Sequence, residues 1–222
     1  MVITYTVLRY GYAMARTADH EARRRQVAAA VEQLVATEGF GAVTVARTAT
    51  AAGISVGLVQ HYFPTKDDML LNAFTHVRGR IEERVLADAD RADKAGARIE
   101  DILLGVLVEL LPLDERRRRE CRVELAFTGR AVDNPRLADA LGRSNAQVRG
   151  RLAQAVHNGK ECGEVLPDVD EAAAAARLLA MLDGLKLHAY SDPAAITPAA
   201  ARAALAEQLS RVFTGPCHHR AG

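Results

Sequence analysis

The sequence is short of the features that mark several large classes of protein. None of its apolar runs approaches the roughly eighteen residues that a helix needs to span a bilayer. Its opening stretch, VITYTVLRYGY, is too irregular for a signal peptide, with no clear small-residue cleavage site after an apolar core. Only three cysteines occur, Cys121, Cys162 and Cys217, odd in number and far apart. No spacing among them suits a zinc site or a disulfide framework, which points to a reducing cytoplasm. No nucleophile elbow, glycine-rich phosphate loop or metal-ligand cluster is present, so nothing points to catalysis and no cofactor is implied. Excess charge is missing too. The 29 Lys and Arg against 28 Asp and Glu leave a net +1, which does not by itself announce a nucleic-acid binder.

What is there is 49% hydrophobic and 26% charged residues over 222 positions, enough to bury a core in one large domain or two small ones. The chain is organised around residues 44–66, TVARTATAAGISVGLVQHYFPTK. Val45, Thr48, Ala49 and Ala52 give a short helix one small, apolar face. Gly53 ends it, because the turn after a helix commonly needs a positive φ. Ile54 fills the space beneath the turn. Ser55 is a good cap for a second helix, whose Leu58 or Val59 and Phe63 face inward. Small Ala49 lets the two helices cross closely, and Val59 closes the same core. This spacing is that of a helix-turn-helix unit whose second helix reads the groove. Pro64 stops that helix, and Thr65 caps a new one at Lys66.

The ordered set Thr44…Ala49…Ala52-Gly53-Ile54-Ser55-x-Gly57…His61-Tyr62-Phe63-x-x-Lys66 resembles the DNA-binding domain of TetR-family (tetracycline-repressor-like) transcriptional regulators. LLAMLDGLKLHAY, with the following DP and TPAAARAAL, resembles the C-terminal region of BetI-like members, so the resemblance covers residues 23–213. It implies an all-α protein of about nine helices, with a three-helix helix-turn-helix head and a helical effector-binding and dimerisation body. It further implies a cytoplasmic dimer, usually a repressor, on near-palindromic double-stranded operator DNA, released by a small-molecule effector. No membrane is involved. The DNA-facing set is Thr44, Arg47, Ser55, Val56, Gly57, Leu58, Gln60, His61, Tyr62 and Lys66, with His61 either a contact or a packing residue. Thr44, Tyr62 and Lys66 would hold phosphates; Arg47 suits guanine, Gln60 adenine, and Val56 and Leu58 thymine methyls. Many members carry an aromatic where this chain has Gln60, so its base reading is its own.

The remaining chain is read in order. Residues 1–19 are an N-terminal extension or arm, extended rather than helical at the start. Met14 reads as a natural start for the family, making residues 1–13 either an upstream extension or an arm, with Arg9 and Arg16 as charges for a minor groove. The head is residues 20–66, its first helix running over about 20–38 with the stripe Val27, Val31, Leu34 and Val35. Arg23, Arg24 and Arg25 either meet phosphates or form a solvated first turn. The body is residues 67–214 and a flexible tail 215–222, where Cys217-His218-His219 is a stray metal site or a frayed end. A long helix starts at Lys66, with residues 87–97 a loop or frayed end. Residues 99–111 are apolar nearly all round, a helix buried in the body. The row Arg116 to Arg119 either binds phosphate or, being spread round a helix, pairs at the surface with Glu115 and Glu120.

Leu178, Leu182, Leu185, Leu205, Leu209 and Val212 on the last two helices form either the dimer interface that the resemblance implies or an internal hairpin, with Gly184 allowing close helix approach. Glu109 stands alone as a charge among apolar neighbours. It either pairs with an arginine such as Arg122 or Arg130, or meets water at the helix end, or lines a pocket with Leu103, Val106, Glu124, Phe127, Thr128, Leu179 and Asp183. Such a pocket suits a cationic or hydroxylated organic molecule. Cys121 is either an inert buried thiol or, with Arg117, Arg118 and Arg122 lowering its pKa, a redox sensor. A helical enzyme is the remaining alternative.

Overall fold

The computed structural model describes residues 3–217, with side chains from Asp19 onward. Among the described residues there are nine α-helices, one 3-10 turn and no strand. The chain divides between Val77 and Arg78 into two compact units.

In the first unit, α1 covers Ile3–Glu38. The opening stretch is therefore helical, not extended, and the helix starts well before residue 20. Its β-branched and aromatic residues favour a strand, but the chain has no proline before Pro64 and nothing else that stops a helix outright. The side chains of Arg9 and Arg16 lie outside the described residues. Val27, Val31, Leu34 and Val35 are buried as one stripe. Gly39, at φ 86°, turns the chain into the 3-10 turn Phe40–Ala42.

Helix α2, Val45–Ala52, begins where the Thr44 hydroxyl accepts the Arg47 N–H at 3.2 Å. Gly53 ends it at φ 65°, and α3, Val56–Tyr62, opens where Ser55 Oγ accepts the Leu58 N–H at 3.2 Å. Val59 and Phe63 are fully buried and Leu58 half-buried, so Val59 is the inward residue. Two side-chain bonds pin these pieces. Gln26 Nε2 donates to the Ala52 carbonyl at 2.6 Å, and Asn72 Nδ2 donates to the Arg24 carbonyl at 2.8 Å.

Helix α4, Lys66–Lys94, starts from a reciprocal cap in which Asp68 Oδ2 accepts from the Thr65 N–H and hydroxyl, and Thr65 Oγ1 accepts the Asp68 N–H. Most of the segment 87–97, expected as a loop or frayed end, belongs to this helix. The charges that suggested a loop are spaced to pair along it, Arg91 with Asp88 at 3.0 Å and Lys94 with Asp90 at 2.7 Å. Gly96, at φ 76°, makes the turn instead.

The second unit adds α5 (Ile99–Glu109), α6 (Glu115–Ala131), α7 (Pro135–Cys162), α8 (Glu171–Ser191) and α9 (Pro198–Ser210). Asp114, Asn134, Asp170 and Thr197 each cap a helix start with a side-chain oxygen on a backbone N–H. One apolar core joins α5, α7, α8 and α9 through Leu104, Leu107, Leu152, Val156, Leu178, Leu182, Leu205, Leu209 and Phe213. Gly159 is required there. A Cβ would stand 2.6 Å from Val165 Cγ2 and 2.8 Å from the Phe213 ring. Gly184, by contrast, has open space around it and serves no close approach within the chain.

Two expectations about the end of the chain are overturned. Cys162 and Cys217 form a disulfide across 55 residues of sequence, and both are buried. Residues 215–217 are not a free tail. The Gly215 N–H donates to the Glu164 carbonyl at 3.0 Å, and Arg98 Nη2 donates to the Gly215 carbonyl at 3.0 Å. Spacing hid the bond because the fold, not the local sequence, brings the two sulfurs together. His218 and His219 lie outside the described residues.

Cross-links of this kind stabilise mainly by restricting the unfolded chain, typically by about 2–4 kcal/mol. Cys217→Ser should therefore lower unfolding free energy by about that amount in denaturant titrations under oxidising conditions. Added thiol reductant should bring the wild type down to the variant and leave the variant unmoved.

Candidate functional site

The head presents one face of α3 outward. Ser55, Val56, Gly57, Gln60 and His61 are exposed, while Val59 and Phe63, four apart on the opposite side, are buried. Amphipathic packing of a seven-residue helix is thus enough to aim the proposed reading residues at solvent. Val56 is 44% exposed, an unusual place for a β-branched apolar side chain and a suitable one for a methyl contact. Tyr62 is half-buried, held edge-on between the His20 ring at 5.2 Å and the His61 ring at 5.3 Å. His61 therefore packs on Tyr62 while its residue stays exposed.

Two cations of the DNA-facing set are held within the chain. The Arg47 guanidinium is paired with the Glu38 carboxylate. Lys66 Nζ lies 4.1 Å from the centre of the Phe40 ring and donates to the Gly41 carbonyl at 3.3 Å. Thr44 is exposed but its hydroxyl already caps α2. Among the three arginines ahead of the α1 stripe, Arg24 stacks over Phe63 at 5.4 Å, Arg23 contacts Gln26 and Asp19, and Arg25 is exposed. Glu38 and Phe40 are the partners that sequence reasoning missed, since nothing local relates them to Arg47 and Lys66.

In the second unit a cavity of about 460 Å³ opens between α4, α5 and α7. Only Leu103 and Val106 of the expected pocket residues line it. Leu103 is the more buried of the two; Ile102, Val106 and Leu110 open onto the same space. The all-round hydrophobicity of α5 was the signal for it: one apolar face meets the core and the other meets the cavity. Of the other expected pocket residues, Phe127 and Leu179 are buried away from the cavity, and Thr128 and Asp183 are exposed.

Glu109 and Glu124 have structural partners. Glu109 accepts from Arg84 at 3.1 Å, Arg116 at 2.8 Å and Arg117 at 3.3 Å, not from Arg122 or Arg130 as named from the sequence. A residue's reach around α6 decides this, since Arg116 and Arg117 lie in its first turn beside the end of α5. Arg118 donates instead to the Ala189 and Tyr190 carbonyls, so the arginine row braces the body. Glu124 accepts from Arg78 and from Lys186, both at 2.9 Å. Burial alone would raise its pKa, but Lys186 and Arg78 outweigh that and hold the carboxyl below its ordinary value. Cys121 is 2% exposed, and burial pushes its thiol up to about 12, so it is not the low-pKa sensor allowed above.

Residues 27–73 match the family of bacterial regulatory proteins named for tetR, and residues 100–214 match the C-terminal region of BetI-type transcriptional repressors. The chain belongs to the TetR family. It is a DNA-binding transcriptional regulator. A relative, the regulator PksA of Bacillus subtilis, is 31% identical over 81% of this chain and 84% of its own. A transcriptional regulator from Rhodococcus sp. Rha1 is 31% identical and covers 86% of this chain and 96% of its own, with a TM-score of 0.72. A structure from Saccharomonospora viridis, solved in complex with choline, shares the fold at 24% identity and a TM-score of 0.74, over 84% of this chain and 95% of its own. As in a TetR-type head, the turn between α2 and α3 rests on Gly53, the only glycine of the unit's helix-turn-helix segment with positive φ.

Gly57 differs. It sits in α3 with no other side chain within 4 Å of where its Cβ would be, so nothing in the unit requires it. Gly57→Ala should stabilise the head by about 0.5–1 kcal/mol through helix propensity, while weakening binding wherever DNA backbone comes close. Thermal unfolding and fluorescence anisotropy on operator DNA separate the two effects. The Glu124 carboxylate has a depressed folded pKa, so its stabilising contribution is present above the ordinary 4.5 and is lost as pH falls through the folded value. Glu124→Gln should therefore cost about 3–5 kcal/mol at neutral pH, a gap to wild type that narrows as the medium is made acid.

Proposed function

We propose that the protein is a homodimeric repressor that holds a near-palindromic operator through α3 and lets go when a small molecule fills the cavity between α4, α5 and α7. The observation that carries the reading is the solvent-facing row Ser55, Val56, Gly57, Gln60 and His61 on a helix fixed from behind by Val59 and Phe63. Gln60 offers the amide pair that matches adenine, and Val56 and Leu58 suit thymine methyls. Arg47 exchanges Glu38 for a guanine or a phosphate, and Thr44, Tyr62 and Lys66 hold the strand backbone. The protein acts by binding, not catalysis, in the cytoplasm where its DNA lies.

The dimer reading needs a different surface from the one first named. Leu178, Leu182, Leu205, Leu209 and Val212 are buried within a single chain, and Leu185 is half-buried, so they are core rather than interface. Apolar periodicity alone cannot separate those roles. The outward side of α8 carries Ala172, Ala176 and Ala180, exposed and four apart, in line with Gly184, and Leu187 is 49% exposed beyond them. Small side chains at that spacing let a second helix approach closely, which favours α8 and its neighbour α9 as the contact. The effector reading rests on the cavity being bounded by α4, one unbroken helix from Lys66 to Lys94.

Operator binding is tested with DNA flanking the gene. Gln60→Ala should weaken binding by about 1–3 kcal/mol and relax base preference at one position per half-site. Unchanged affinity and preference would remove Gln60 from the reading set.

A further inference from the structure

The cavity in the second unit has an uncommon chemical character. Its walls are aliphatic, among them Ile81, Val85, Ile102, Val106, Leu110 and Val148. No aromatic residue lines it among the described residues. A quaternary ammonium is held in proteins chiefly by aromatic faces through cation–π attraction, and this cavity offers none.

Its charged side chains are already engaged within the chain. Arg78 shares the Glu124 carboxylate with Lys186, each at 2.9 Å, and Arg151 of α7 pairs with Glu82 of α4. A ligand bearing net charge would have to break one of these pairs or enter an apolar space unpaired, and either is costly. Gln154 and Asn158 also hold each other, at 2.9 Å. Ser144, half-buried, and Gln147, exposed, lie one turn apart on α7 and add a hydroxyl and an amide to the lining.

We propose that this cavity takes a neutral, flexible aliphatic molecule with one hydroxyl or amide at its end, the chain against α4 and α5 and the polar end at Ser144 and Gln147. The inference rests on reading the cavity as the effector site, and it narrows the cationic or hydroxylated ligand expected from the sequence to the uncharged kind. A volume of about 460 Å³ lies in the range of small-molecule sites and suits a medium-length chain.

The test is calorimetric titration of the full chain with three probes of one chain length, 1-decanol, decanoate and decyltrimethylammonium. The expected result is decanol binding at least about tenfold tighter than either charged probe. That binding should be lost in Val106→Trp, which fills the cavity, and in Val148→Phe, a second variant in case the first misfolds by circular dichroism. Equal or tighter binding of a charged probe overturns the proposal, as does no decanol binding, or decanol binding that both variants leave unchanged. A parallel operator-release assay keeps the two readings apart. Decanol that binds as expected without releasing DNA leaves the ligand class standing and sinks the effector role. A charged probe that binds and releases DNA does the reverse.

Discussion

The body of the protein depends on one buried carboxylate. Glu164 is fully buried in the turn after α7, and its two oxygens accept the Ile99 and Glu100 N–H groups at 3.1 and 3.2 Å. Those are donors at the start of α5 that the helix itself cannot satisfy, and the helix dipole favours a negative charge there. Arg98 adds its guanidinium 3.8 Å away, shared with the Glu100 carboxylate at 3.3 Å. The contact is long-range, reaching from one side of the sequence to the other, and it sets where α5 begins. The core leucines on one face of α5 and the cavity lining on the other both inherit their positions from it.

The remaining constraints converge on the same corner. The Glu164 backbone carbonyl takes the Gly215 N–H, the Cys162 sulfur lies 3.7 Å from the Glu164 carboxylate, and Gly159 is bare so that Val165 and Phe213 can close over it. Caps, disulfide and packing therefore act on one knot of chain, which is why Cys217, at the end of the described residues, is buried. Away from this corner, charge is organised differently. Arg84 bridges Glu109 and Glu120, and Lys186 with Arg78 encloses Glu124, so that buried carboxylates on α5 and α6 each have fixed cations.

How far the fold could be read from sequence depended on range. The helix-turn-helix is written in neighbours: Thr44 and Ser55 cap over three residues, Gly53 turns, and Ala49, Val59 and Phe63 recur at helical spacing. Each signal acts within one or two turns, so each survives in a one-dimensional reading. The disulfide, the Glu164 cap and the Glu38–Arg47 pair join residues that only the folded chain brings together, and none left a local trace. The cavity was half legible, because the apolar excess of α5 is visible while the walls from α4 and α7 are not. Leu178, Leu182, Leu205 and Leu209 show a different limit. A heptad-like leucine stripe looks the same whether it faces its own chain or another, and only burial in the single chain settled that it faces inward.

One consequence of the Cys162–Cys217 bond lies in topology. Both α8 and α9 fall inside the ring of chain that it closes. The bond ties the chain after α9 back to the end of α7, so α9 has no free end with which to pass to a neighbour on its own. While the bond is intact, exchange of α9 as a free-ended arm is shut, whereas segments outside the ring are not constrained by it. Opening the bond frees the chain after α9 and makes exchange of that helix alone topologically allowed.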